Sequence, residues 1–413
     1  MRFTEFNFHP NLLEGIEASN YEITTPVQKQ VIPSIMEGRD VIASAQTGTG
    51  KTAAFLLPVM NRLLENHVDG QVGALIVVPT RELAIQISQH MEGLSYFTHL
   101  SSLAVYGGND AQSFVAEKKA LQMGADIIVC TPGRMIAHLN MGYVNLKGLQ
   151  FLVLDEADRM LDMGFQDDIN KIIKALPAKR QNLLFSATMP VKIRQLAKKI
   201  LHEPVEINIA ISKPPEKIIQ KAFVVYEPQK LPLIKKLLKE TPYKNALVFC
   251  SRKQTVKQLT RELKQGGINV SEIHSDLEQA ERESVLGAFT AGRIPVLVAT
   301  DILSRGIDID TIDVVINYDV PGDGEDYVHR IGRTARAEAE GAAFTLIGEK
   351  EQNKFAAIEQ LLGKEVEKAP VPKELGEAPS YHPRTRSGGS GSGSGHGNKR
   401  PQKKFNRGAP KRR

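Results

Sequence analysis

At 413 residues the chain is longer than one hydrophobic core usually organises, which points to two folded units with extensions. Its 53 Lys and Arg against 47 Asp and Glu give a net charge of +6, but residues 380–413 hold ten of the basic residues and no acidic one, leaving 43 against 47 in the body, a net −4. No apolar run approaches the roughly 18 residues of a membrane span, the N-terminus carries no signal-type apolar stretch, and the two cysteines, Cys130 and Cys250, each close an apolar run in a different half, which argues for reduced core thiols, against a membrane or disulfide-stapled protein, and for a cytoplasmic location.

Short runs rich in Val and Ile recur at 40–45, 74–78, 127–130, 151–154 and 183–185, separated by longer amphipathic segments. This pattern predicts an α/β unit, a parallel β-sheet flanked by helices on both faces. A second series follows at 223–225, 246–250, 296–299, 314–317 and 343–347, so the architecture is expected twice. Between the series, residues 209–216 contain the adjacent Pro214 and Pro215, which interrupt regular structure. The expected organisation is therefore an N-terminal domain at 1–208, a linker at 209–216 and a C-terminal domain at 217–368. A disordered tail at 369–413 completes it. Prolines at 370, 372, 379 and 383 open the tail, a Gly/Ser run occupies 387–395, and a basic segment with the single aromatic Phe405 occupies 398–413, a composition suited to attracting phosphates without specifying sequence.

The chemistry is concentrated in three places. Ala45-Gln46-Thr47-Gly48-Thr49-Gly50-Lys51-Thr52 follows a strand-like run and precedes a helical pattern at 53–64, the context of a phosphate loop. Glycines there let backbone N–H groups turn toward phosphates, Lys51 would bridge the β- and γ-phosphates, and Thr52 would ligate magnesium. A glycine turn opening an ordinary helix has no need of Lys-Thr directly after its last glycine. Further on, Asp155-Glu156-Ala157-Asp158 ends an apolar run at the carboxyl edge of the sheet, where such sheets bind ligands. If the two carboxylates are adjacent strand residues they point to opposite sides, so Asp155 can hold a metal shell while Glu156 polarises an attacking water. Helix capping by Asp155 and Asp158 is the simpler alternative. Finally, in His329-Arg330-Ile331-Gly332-Arg333-Thr334-Ala335-Arg336 the spacing of three would place Arg330, Arg333 and Arg336 near one helix face, as arginine fingers reaching across a cleft or as an acid-paired surface.

Taken in order, the motifs resemble those of the DEAD-box ATP-dependent RNA helicases from Phe3 to about Ile347. They are Phe3 with 25–28, 45–52, 79–84, Gly107-Gly108, 131–134, 155–158, 186–188, 279–282, 299–308 and 329–336. The resemblance implies two tandem RecA-like domains, with ATP and Mg²⁺ between them and RNA crossing the same cleft, and an N-terminal adenine-recognition motif at 3–28. By resemblance Gln28 would hydrogen-bond adenine and Tyr21 stack on it, Ser186 and Thr188 would couple catalysis to lobe closure, and Asp308 would take a ribose hydroxyl. Arg333 and Arg336 would stabilise the γ-phosphate, and His329 would join them through Asp158. Pro79, Thr80, Arg81, Gly108, Thr131, Gly133 and Arg134 in the first lobe, with Arg252, Arg282 and Thr300 in the second, would contact the RNA backbone. The chain differs from the commonest family pattern at Thr24, Ser275 and Ala335.

The activity so implied is RNA-stimulated ATP hydrolysis that locally unwinds short duplexes, as in bacterial family members linked to ribosome assembly or RNA decay. An ATP-gated clamp, or a nonenzymatic RNA chaperone working through the basic tail, remain the alternatives. No protein partner is identifiable.

Overall fold

The computed structural model describes residues 1–45, 49–68, 70–107, 111–209, 218–300, 312–322, 324–334 and 341–383. A first sheet is built from β1 (Val41–Ser44), β2 (Ala74–Val77), β3 (Ser102–Val105), β4 (Ile127–Cys130), β5 (Phe151–Leu154), β6 (Gln181–Ser186) and β7 (Val205–Asn208). Their order across the sheet is β3-β4-β2-β5-β6-β1-β7, all parallel. The helices described with it are α1 (Pro10–Ala18), α2 (Pro26–Met36), α3 (Lys51–Glu65), α4 (Arg81–Ser95), α5 (Ala111–Met123), α6 (Pro132–Asn140), α7 (Ala157–Asp162), α8 (Gln166–Ala175) and α9 (Val191–Ile200).

A second sheet contains β8 (Ile218–Val225), β9 (Ala246–Phe249), β10 (Val270–Ile273), β11 (Val296–Ala299), β12 (Val314–Asn317), β13 (Gly341–Gly348) and β14 (Glu367–Lys368). Its order is β10-β11-β9-β12-β13-β8-β14, again parallel throughout. Lowering each label by seven reproduces the order of the first sheet, so one winding occurs twice. With it are α10 (Glu227–Glu240), α11 (Lys253–Gln265), α12 (Gln279–Thr290), α13 (Gly324–Ile331) and α14 (Gln352–Leu362).

Strand periodicity explains how each sheet carries cores on both faces. Ala74 and Ile76 of β2, Ile127 and Val129 of β4, and Phe151 and Val153 of β5 enter one cluster with Phe55 and Leu56 of α3. Their neighbours Leu75, Val77, Ile128, Cys130, Leu152 and Leu154 enter another, with Met160 and Ile172. The second sheet repeats this: Val248, Val298 and Ile316 face one cluster, and Leu247, Leu297 and Val315 the opposite one. Both cysteines are free thiols in these cores, and burial pushes the Cys130 thiol up from its usual value.

Two features depart from the sequence expectation. Four strands, β3, β7, β10 and β14, were not anticipated; they are the outermost strands of the two sheets, only partly buried, and so lack continuous apolar runs. The first part of the segment expected as a tail, residues 369–383, is also bonded to the second lobe. Ala369 N–H donates to Ala222 O at 2.8 Å, Gln229 Nε2 donates to Leu375 O and Glu377 O at 2.8 and 2.9 Å, and Tyr381 Oη donates to Glu359 at 2.8 Å. Residues 369–383 are thus a strap on the second lobe, held by backbone groups that the proline-rich composition did not disclose. Residues 384–413, and all but Ile209 of the linker expected at 209–216, lie outside the described residues.

Candidate nucleotide and nucleic-acid sites

The order of the first sheet separates two sets of motifs. Loops leaving β1, β5 and β6, which lie side by side toward one end of the sheet, carry 45–52, 155–158 and 186–188. Loops leaving β3, β4 and β2 at the other end carry Gly107, 131–134 and 79–81.

At the first group, Lys51 is the first residue of α3 and is buried, with Nζ donating to Ala45 O at 2.7 Å. Gly50 before it sits at φ +87°, and a Cβ there would stand 2.5 Å from Gln28 Nε2. Only glycine fits this position without strain or collision. Gln28 itself is at N3 of α2: its Oε1 accepts from Thr25 N–H at 2.8 Å in a capping box, while Nε2 donates to Gly50 O at 3.2 Å. The residue expected to read adenine is therefore tied to the end of the phosphate loop. Tyr21 is half-buried, its hydroxyl 2.5 Å from His90 Nε2 and its ring edge-on to Phe3. Thr24 N–H and Oγ1 both donate to Met1 O, at 3.1 and 3.0 Å; a proline there would lack both groups.

Asp155 and Glu156 follow the end of β5 and are buried. Strand alternation does not separate them, as the sequence reading had it; Glu156 stands at φ +50°, in the left-handed region that a non-glycine residue adopts at a cost of about 1–2 kcal/mol. Capping is part of what the carboxylates at 155–158 do: Asp158 Oδ1 accepts from Arg159 N–H, in the first turn of α7, at 3.0 Å. Glu156 occupies the N-cap of α7 without a side-chain cap bond, and Asp155 Oδ1 accepts from Glu156 N–H at 2.9 Å. Desolvation raises the Asp155 pKa above its ordinary value, Asp158 adds to the rise, and the Lys51 ammonium and the Glu156 N–H oppose it. Asp158 joins two motifs: its N–H donates to Ser186 Oγ at 3.3 Å and its Oδ2 accepts from Thr188 N–H at 3.0 Å.

In the second lobe α13 ends at Ile331, so the three arginines do not share one helix face. Arg330 is wholly buried, with Nη1 donating to Asn317 Oδ1 at 3.1 Å and to Asp319 O at 3.0 Å beyond the end of β12, and its guanidinium over the Phe249 ring. Arg333 lies in the turn after the helix; its O accepts from Ile312 N–H, before the start of β12. The two residues thus address opposite ends of one strand. His329 is buried in the last turn of α13.

At the other end of the first sheet Thr80 and Thr131 are N-caps of α4 and α6, with Thr80 Oγ1 accepting from Leu83 N–H at 3.3 Å and the buried Pro79 preceding it. Space beside Gly133 is open: an added Cβ would meet nothing within 4 Å. Arg81, Arg134 and Arg282 converge, for burial and the charges of Arg282 and Arg134 all lower the Arg81 pKa against the opposing Glu82. Arg282, on α12 of the second lobe, pairs with Glu82 across the lobes at 3.3 Å and donates to Ser275 O at 3.0 Å. Glu82 was not singled out from the sequence, although its place beside Arg81 was the available signal. Arg252 is exposed at the N-cap of α11, and Thr300 is buried just beyond β11 with no partner for Oγ1 among the described residues. Thr49 and Thr52 flank the loop partly exposed. Gln46, Thr47, Gly48, Gly108, Asp308 and Arg336 lie outside the described residues.

Comparison with known proteins gives the family. Residues 25–196 match the DEAD/DEAH box helicase model and residues 229–338 the helicase conserved C-terminal domain. The chain is 43% identical over 372 residues to the ATP-dependent RNA helicase CshA of Listeria monocytogenes, covering 90% of this chain and 71% of that protein. It is 39% identical to the DEAD-box ATP-dependent RNA helicase CshA of Bacillus subtilis, covering 90% and 74%. Among solved structures it resembles S. cerevisiae Dbp5 bound to RNA and ADP BeF3, with a TM-score of 0.80 at 32% identity over 89% of this chain and 95% of that one. Mss116p bound to ssRNA and AMP-PNP is similar too, with a TM-score of 0.79 at 28% identity, covering 90% and 80%. The fold is that of tandem RecA-like domains, and the chain belongs to the DEAD-box family of ATP-dependent RNA helicases. It is accordingly an ATP-hydrolysing enzyme.

Proposed function

We propose that the chain is an RNA-stimulated ATPase that separates short RNA duplexes by closing its two lobes on ATP and on one RNA strand. The observation that carries this reading is the sheet order, which sets the phosphate-handling motifs at the ends of β1, β5 and β6 and the arginines and capped helix starts at the ends of β2 and β4. One rigid sheet edge thereby supports a nucleotide site beside a phosphate-backbone site.

In this reading Gln28 selects adenine by matching its donor and acceptor pair, with Tyr21 against the ring. Lys51 leaves the Ala45 carbonyl for the β- and γ-phosphates, and backbone N–H groups of 46–52 complete the cradle. Asp155 suits a divalent cation, because its raised pKa marks a buried carboxylate with too little positive charge around it. Among the described residues no cluster of three His, Cys, Asp or Glu side chains could hold a metal alone, so Mg²⁺ would rest on Asp155, Thr52, phosphate oxygens and water, and would neutralise charge on the transferred group. Glu156 orients and deprotonates the attacking water. Arg333 and Arg336 approach from the second lobe, with His329 and Asp308 beside them. Asp158 transmits the state of the site to 186–188 through its bonds to Ser186 and Thr188.

RNA is held through its phosphates by Arg81, Arg134, Arg252 and Arg282 and by main-chain groups at Pro79, Thr80, Gly108, Thr131, Gly133 and Thr300, contacts that carry little sequence information. No described helix is long and apolar enough to cross a membrane; the cytoplasm is the compartment we assign. ATP hydrolysis measured without nucleic acid, with single-stranded RNA and with matching DNA tests the reading. Stimulation by RNA alone is expected, and equal stimulation by DNA would overturn the choice of RNA. Glu156→Gln should clamp RNA in the presence of ATP without turnover; ordinary turnover in that variant would sink the assignment of the base.

A further inference from the structure

Arg134 is held from behind by groups that no motif contains. It stands at N3 of α6, and its Nε donates to Glu117 Oε2 on α5 at 2.7 Å. One turn later, His138 Nε2 lies 2.7 Å from the same oxygen, and His138 Nδ1 is hydrogen-bonded to the Tyr143 hydroxyl. The His138 side chain is wholly buried and that of Glu117 is 7% exposed. Phe114 completes the assembly: the His138 ring stacks on it at 4.3 Å and 13°, and the Arg134 guanidinium lies over it at 4.6 Å.

We propose that Glu117 and His138 are positioning residues that present Arg134 to an RNA phosphate, an inference that rests on the proposed role of Arg134. A guanidinium anchored at Nε and stacked on a ring has its plane fixed: the edge of Nε and Nη2 is turned to the anchor, and the edge between Nη1 and Nη2 is turned away from it. Nη2 is buried and has no hydrogen-bond partner among the described residues, an orphaned donor that an incoming oxygen would satisfy. The same arginine contributes to the field that lowers the Arg81 pKa, so an acceptor there sits among several positive charges and is best an anion. Glu117 contributes by fixing geometry. Because it is buried against both Arg134 and His138, it neutralises Nε locally without reaching the outward face. His138 holds the carboxylate in the rotamer that makes this possible, and Tyr143 holds the imidazole.

The test is a double-mutant cycle read by RNA titration. Arg134→Ala should raise the RNA concentration for half-maximal ATPase stimulation about tenfold, as for loss of one charge-assisted bond. It should also reduce the slope of log affinity against log salt by about 0.7, the value of one single-strand phosphate contact. Glu117→Gln should reproduce much of both changes with no comparable rise in the KM for ATP, and in the Arg134→Ala background it should add nothing further. Full additivity in the double variant, or an unchanged salt slope in Glu117→Gln while Arg134→Ala shifts it, would overturn the positioning role. An unchanged slope in Arg134→Ala itself would instead overturn the RNA contact proposed for that residue. Should Glu117→Gln fail to fold, His138→Gln is held to the same slope criterion.

Discussion

At the scale of single residues the nucleotide site depends on backbone conformations that few side chains tolerate. Gly50→Ala would force a Cβ to within 2.5 Å of Gln28 Nε2 at φ +87°, combining left-handed strain of about 1–2 kcal/mol with displacement of the amide proposed to read adenine. Nucleotide affinity should fall at least tenfold, which a fluorescent-nucleotide titration would register; unchanged affinity would show that Gln28 does not depend on this contact. Asp155 supplies a prediction of opposite sign. Its folded-state pKa is raised, chiefly by desolvation, so its ionisation disfavours the folded nucleotide-free protein once the pH exceeds the unfolded value of 3.8. Asp155→Asn should therefore raise the melting temperature of the nucleotide-free protein at neutral pH. The gain should shrink as the pH falls toward 3.8, where the native carboxyl is protonated too. A rise of roughly 2–4 °C corresponds to each kcal/mol in a domain of this size. The same variant should lose hydrolysis, so stability and activity would move in opposite directions.

Among the secondary-structure elements, the strap at 369–383 is the one whose contribution is most open to measurement. It continues from β14 along α10 to the start of α14, where Gln352 Nε2 donates to Ser380 O at 2.9 Å and Gln352 Oε1 accepts from His382 N–H at 2.7 Å. Phe355 and Tyr381 meet edge to face. Ending the chain after Lys368 should lower the thermal stability of the second lobe by several degrees, whereas ending it after Pro383 should leave calorimetric unfolding unchanged. Equal melting of the two truncations would mean that the strap adds no stability. The sequence concealed this element for the reason it concealed the four outer strands. Half-exposed segments mix polar and apolar residues, and their order comes from pairing with a neighbour rather than from their own periodicity.

For the whole molecule, charge is distributed so that all of the positive excess is at one end. Removing 384–413 takes away ten positive charges and changes the net charge from +6 to −4. RNA affinity should then fall most at low salt, and the salt slope should decrease by as much as about 7 if every cation meets a phosphate, with hydrolysis at saturating RNA retained. An unchanged slope would make the tail a solubilising segment only. The inter-lobe pair of Glu82 with Arg282 belongs to this scale as well, because it joins residues 200 positions apart and sets an acid against a cation expected to meet RNA.

The sequence by itself determined the twofold α/β architecture, the phosphate loop, the paired carboxylates and the concentration of charge at the end of the chain. Each of these is written in short contiguous segments, where apolar alternation and glycine placement speak for themselves. Only the tertiary structure decided that Arg330 and Arg333 address opposite ends of β12, since α13 ends between them. Only it decided that Glu156 diverges from Asp155 by a left-handed backbone and that Glu117 and His138 stand behind Arg134. Those outcomes depend on which distant groups fill the space around a side chain, and local sequence pattern holds no record of that.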